Sequence, residues 1–337
     1  MRMPVPPAAH RAASLLSRLR RDRRILSPLA LVATLLLPVL TAHAQAPAFQ
    51  FAWGSAGTGS GQFQFAHGLG VGPDGSVYVG DTLNGRVQRF DAAGGYVSQW
   101  AAGLPGGLAV DPTGNVFVID TNTNRILKFD GSGTFLVSFG GTGSTNGKFI
   151  FPLDVACDAS GAIYVADWMN HRVQKFNGIG GFVTTWGTQG SGPGQFEQPS
   201  SIAIDADGFV YVTDMVQNRV QTFTSSGSYV GTWGTTGGGP DQLSSPTGII
   251  WDSRGFLILT DAGNQRVQVF RPNGSHVLAF GSPGSAPGQF NNPSALDLDA
   301  TGRILVLDKD NSRVQVFADI TTPTSRTNWG SLKRHWR

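Results

Sequence analysis

The sequence has almost no sulfur chemistry and little charge. Cys157 is the only cysteine in 337 residues, which excludes an intramolecular disulfide and leaves stability to packing. Glu197 is the only glutamate and stands too isolated to form half of an acid/base pair. Charged residues are 14% of the chain, against a usual share of roughly a quarter, which argues against a coiled coil or long-helix protein. The apolar share of 40% is enough to bury a core, so a disordered chain is excluded as well. What the chain has instead is 46 glycines and 19 prolines, and a turn-rich all-β protein is the class that uses them.

Residues 1–44 are predicted to be a secretory signal peptide. Arg11, Arg18, Arg20, Arg21, Arg23 and Arg24 precede an apolar run from Ile25 to Leu40, and Ala42-His43-Ala44 supplies a small-x-small cleavage pattern. The run is short for a membrane span and contains Pro28 and Pro38; an uncleaved anchor is the alternative. The expected destination is exported: periplasm, cell envelope or extracellular space. Charge sharpens the picture, because the basic residues concentrate at the ends. The chain holds 25 Lys+Arg against 22 Asp+Glu, whereas the body, 45–317, holds 14 against 20. An acidic body offers no footprint for a phosphate backbone, so nucleic acid is not an expected partner. The last segment, 320–337, begins with a polar linker and ends in basic and aromatic residues. In a helix, Trp329, Leu332 and Trp336 would share a stripe suited to an anionic envelope surface or a docking groove; a frayed end is the alternative.

Between the ends the sequence repeats. Asp81, Asp120, Asp167, Asp214, Asp261 and Asp308 recur at intervals of 39, 47, 47, 47 and 47 residues. Five residues after each comes Arg86, Arg125, Arg172, Arg219, Arg266 or Arg313, and four residues later a phenylalanine. Each unit reads as four short runs rich in β-branched and aromatic residues, separated by Gly, Asp and Ser turns. Four-stranded units at this period are what a propeller blade requires. The sixth unit stops at its third strand, while Phe49-Gln50-Phe51-Ala52-Trp53 at the other end has the pattern of a fourth. That permutation closes a ring and removes a free edge, which a linear solenoid has no use for. The expected fold is therefore an all-β, six-bladed β-propeller over 45–319, closed by its N-terminal strand.

The motif Val165-Ala166-Asp167-x-x-Asn170-x-Arg172-Val173-Gln174-x-Phe176, with Gly194-Gln195-Phe196-x-x-Pro199 in the adjoining copy, resembles the NHL repeat. The pattern recurs over residues 61–317, and the resemblance implies a six-bladed propeller. It does not imply one chemistry, since the family includes extracellular sensor domains, RNA-binding modules and peptidylglycine alpha-amidating lyase.

A residue present in every blade serves a need common to all blades, so the six Asp–Arg pairs are expected to be scaffold. Departures from the repeat are the candidates for function. In propellers of this resemblance, the loop leading into the first strand and the loop between strands two and three share the face around the channel mouth. The position after the blade's proline (Ala66 in the first blade) reads His67, Gly106, Leu153, Ser200, Thr247 and Ser294; the next position includes Asp154. The lyase's histidines at these positions converge on zinc, which wants about three protein ligands. Only His67 matches, so no cofactor is expected, with zinc at His67 or calcium at Asp154 as the alternative. Between strands two and three, Trp168 and Met169 of one blade and Met215 and Val216 of the next lie on the same face, flanked by His171. Apolar residues there favour a contact surface, unless they fold over the channel. The short linker from Trp100 to Pro105 is expected to leave a notch near His67. The favoured reading is an exported, monomeric, non-catalytic binding or scaffold propeller that engages a protein, glycan or small-molecule ligand through this face. A metal-dependent lyase or hydrolase at the channel mouth is the alternative.

Overall fold

The computed structural model describes residues 45–320; the predicted signal and nearly all of the predicted tail lie outside the described residues. Six four-stranded antiparallel sheets follow one another along the chain. Blade four is typical: its strands, from the channel outward, are Pro199–Ile204, Val210–Asp214, Arg219–Phe223 and Tyr229–Trp233. The repeated aspartate ends the second strand, because it pairs directly with the arginine that starts the third.

The ring closes as the sequence implies. Phe49–Trp53 pairs antiparallel with Arg313–Phe317, bringing Phe51 opposite Val316 and Trp53 opposite Val314. The Phe49 ring meets Phe317 edge-on at 6.0 Å. The innermost strands pack in succession from blade to blade, and that of blade six packs on that of blade one, which completes the channel wall.

Burial follows from this geometry. The second strand of every blade has a neighbouring blade on both faces, so all its residues are buried and it reads as an apolar run that ends in the aspartate. Third-strand phenylalanines meet a phenylalanine delivered by the Gly-Gln-Phe type of lead-in loop: Phe176 with Phe149, and Phe223 with Phe196, at 5.5 and 5.6 Å. Each fully buried ring contributes about 2–3 kcal/mol. In blade three a tryptophan ending the fourth strand, Trp186, then covers the outer turn of the next blade. Gly227 accepts this at φ +91°, where a β-carbon would lie 2.7 Å from the Trp186 ring. The predicted boundary at residue 319 moves by one: Ile320, assigned to the tail, is buried against blades five and six.

Candidate binding face and channel

The repeated aspartates anchor the lead-in loops. Asp167 is fully buried and accepts hydrogen bonds from Arg172 Nε at 2.8 Å, Gln174 Nε2 at 3.0 Å and the Ile150 backbone N–H at 2.9 Å. Arg172 in turn donates to the carbonyls of Thr145 and Lys148 in the lead-in loop. Asp81, Asp261 and Asp308 hold Arg86, Arg266 and Arg313 at the same 2.8 Å. Two pairs depart from the six-fold expectation. Arg219 stands 3.7 Å from Asp214, and among the described residues its Nε has no partner. Arg125 is exposed and, among the described residues, forms no ion pair with Asp120, which accepts instead from Thr123 Oγ1 and the Leu104 N–H. For Arg125 the cause is the linker shortened by eight residues: the carbonyls that the other guanidinium groups bind are not there.

The six innermost strands enclose a channel cavity of about 220 Å³ lined by His67, Asp154 and Asp297. Residue 297 was not singled out in the sequence. The equivalent positions are Gly70, Ala109, Ala156, Ala203 and Ile250, so a comparison two residues further along the strand would have exposed it. The two carboxylates sit on blades three and six, half a ring apart. Each takes the unpaired strand edge of the following blade: Asp154 accepts from Ser201 Oγ at 2.6 Å and Ile202 N–H at 3.0 Å, and Asp297 from Val71 N–H at 2.7 Å. They are surrounded by protein yet touched by channel solvent. Burial raises the pKa of both to about 6 against these hydrogen bonds, with the charge on Asp154 adding to the rise at Asp297. Asp154 is therefore part of the channel wall rather than a free carboxylate on the rim.

His67 lies at the mouth on blade one, two blades from Asp154. Among the described residues its buried Nδ1 has no partner, and burial, together with the nearby Lys309 ammonium, lowers its pKa to about 4. It is a neutral imidazole at pH 7. Among the described residues no three His, Cys, Asp or Glu side chains gather closely enough to hold a metal ion. Cys157 also lines the cavity, but burial pushes its thiol pKa up, which leaves it a poor nucleophile.

The face at the lead-in loops is uneven. Met169 and Val216 are exposed, whereas Trp168 and Met215 are mostly covered. His171 is drawn into the structure: in a left-handed turn at φ 54°, its Nδ1 lies 2.7 Å from the Glu197 carbonyl in the next lead-in loop. Sequence comparison missed the position before each proline. It reads Phe65, Leu104 and Phe151 in blades one to three, and Gln198, Ser245 and Asn292 in blades four to six. Phe65 and Phe151 adopt left-handed φ values of 55° and 52° and, like Met169 and Val216, each exposes 50% of its surface. Phe151 meets Trp168 edge-on at 5.6 Å. With the exposed Leu83, these side chains form an apolar arc over blades one to four, while Asp310 and Asn292 mark the polar remainder.

Family profiles agree with this architecture. The NHL repeat matches residues 63–90, 103–129 and 290–317, and a profile described as a 6-bladed beta-propeller matches residues 153–234. The chain carries NHL repeats in a six-bladed β-propeller. No curated protein matches it in sequence. Among solved structures it is similar to a gluconolactonase from Xanthomonas campestris, with a TM-score of 0.60 and 16% identity, covering 83% of this chain and 99% of that one. A protein of unknown function from Bacteroides thetaiotaomicron gives 0.66 and 16%, covering 82% and 83%. A catalytically inactive virginiamycin B lyase from Staphylococcus aureus with quinupristin gives 0.55 and 15%, covering 78% and 82%. At these identities the likeness is one of fold.

Proposed function

We propose that this NHL-repeat propeller is an exported binding protein that holds a partner against its lead-in face without covalent chemistry. The observation that carries the reading is the apolar arc, above all Phe65 and Phe151. Large rings in left-handed backbone are strained, by about 1 kcal/mol or more, and half-exposed rings do not recover that cost in a core. An exposed apolar cluster beside a polar rim fits a protein or peptide partner carrying apolar side chains. Export rests on the basic-apolar-small pattern of residues 1–44. The test is selection from a random peptide library on the immobilised protein. Peptides bound by the protein should be rich in aromatic and aliphatic residues and lose binding to Phe151→Asn/Met169→Ser while keeping it with Asp310→Ala. Equal retention by both variants overturns the reading.

A second reading is metal-assisted hydrolysis or elimination in the channel. It is favoured by the two raised-pKa carboxylates and the unpartnered His67 nitrogen around one cavity, and by fold neighbours that are a gluconolactonase and a virginiamycin B lyase. Turnover of a lactone that needs added calcium or zinc and is lost in Asp154→Asn would establish it in place of the first.

A further inference from the structure

A second site lies on the flank of the ring, away from the lead-in face, and emerges from the register of the blades. In every blade one residue of the second strand, one of the third and one of the fourth stand side by side across the sheet. In blades one to three the second-strand residue is aromatic and the third-strand residue cationic: Tyr78 beside Arg89, Phe117 beside Lys128, Tyr164 beside Lys175. The cation lies over the ring in each, at 6.0, 4.8 and 4.9 Å from the centroid. Lys128 Nζ donates to the Gly178 carbonyl at 3.0 Å and Lys175 Nζ to the Ser225 carbonyl at 3.3 Å, each in the outer turn of the next blade. Blades five and six replace the pair with aliphatic rows, Ile258-Val269-Leu278 and Leu305-Val316-Phe51, which fill the same space with carbon.

Blade four does neither. Tyr211 stands where Tyr164 does and donates its hydroxyl to Asp205 at 2.9 Å, just as Tyr164 donates to Asp158 at 3.1 Å. Beside Tyr211, however, come Thr222 and then Gly231, both small. The result is an open groove of about 320 Å³ between blades four and five, lined by Tyr211, Thr222, Gly231, Trp233 and Pro272. Pro272 holds the position of Ser225, whose carbonyl receives the lysine of blade three. The tyrosine, buried at the floor of the groove, its carboxylate partner and the facing outer turn are all present, and the cation that in blades two and three spans the ring and that turn is missing.

We infer that this groove binds a primary alkylammonium supplied from outside, such as the side chain of a partner's lysine, laid over Tyr211 with its nitrogen at the outer turn of blade five. The test is a ligand-observed NMR titration of the purified protein with n-butylammonium, the side chain of lysine without its backbone, and with n-butanol as the neutral control. The ammonium should bind with a Kd on the order of a few millimolar and the alcohol at least about tenfold more weakly. Thr222→Lys should fill the groove from within, abolish the binding and raise the Tm. A second variant, Lys175→Thr/Thr184→Gly, gives blade three the row of blade four and should double the number of sites. Equal binding of the alcohol, undiminished binding by Thr222→Lys, or no binding of the ammonium up to about 50 mM overturns the inference.

Discussion

Asp297 and Asp154 show how a single side chain in a propeller channel serves two masters. Each carboxylate holds a backbone N–H of the next blade, yet each is enclosed enough that the protonated form is favoured up to about pH 6. With native pKa values above the ordinary carboxylate value of 3.8, the folded state binds these protons more tightly than the unfolded chain. Their contribution is thus fully stabilising below about pH 4 and is lost as pH rises through 6. Asp297→Asn keeps a hydrogen-bond acceptor for Val71 and removes the ionisation. Relative to the unmodified protein, this variant is expected to gain about 1 kcal/mol at pH 7.5 and nothing at pH 4, an upper figure near 3 being reduced by channel water. Urea unfolding across pH 4–8 measures the difference, and a gain that does not change with pH contradicts the assignment. The residue escaped notice in the sequence for a physical reason. Its exceptional environment arises because the innermost strand edges face a shared channel, and a pattern of spacing along the chain does not reveal which positions meet there.

At the scale of the element, much of each blade was legible. Asp, Arg and Phe at fixed offsets marked the second and third strands, and the glycines marked the hairpin turns. Two things were not. The Asp120–Arg125 pair looks like the others in sequence, but an ion pair here depends on the lead-in loop that the guanidinium caps, and blade two lacks it. The strained loop residues Phe65 and Phe151 were passed over because backbone conformation at the residue before each proline becomes visible only in the structure. That conformation yields a prediction. Phe151→Asn places a residue tolerant of left-handed φ at a half-exposed site, so the Tm should stay unchanged or rise by a few degrees while peptide binding falls. A marked drop in Tm would show that Phe151 serves packing and would remove the main support for the binding face.

The whole molecule depends on a strand borrowed from the far end of the chain. Phe49–Trp53 covers the edge of Arg313–Phe317, and Trp53 reaches the cluster formed with blade one around Phe90. A chain begun at Gly54 would expose that strand edge and leave several large apolar side chains uncovered. It is expected to aggregate or to melt at least about 10 °C lower, as size-exclusion chromatography and thermal unfolding would show. An unaltered, monomeric, cooperative melt contradicts closure. The ring also sets out how its blades differ: blades one to three fill their flanks with their own cations, blade four leaves one open, and the rim is apolar over blades one to four.

Hydrogen–deuterium exchange with the tightest peptide from the library selection tests the binding face most directly. The account predicts slowed exchange in the lead-in loops of blades one and three and in the loops between strands two and three of blades three and four. Slowed exchange confined to the channel strands around Asp154 and Asp297, or to the polar rim of blades five and six, would contradict it.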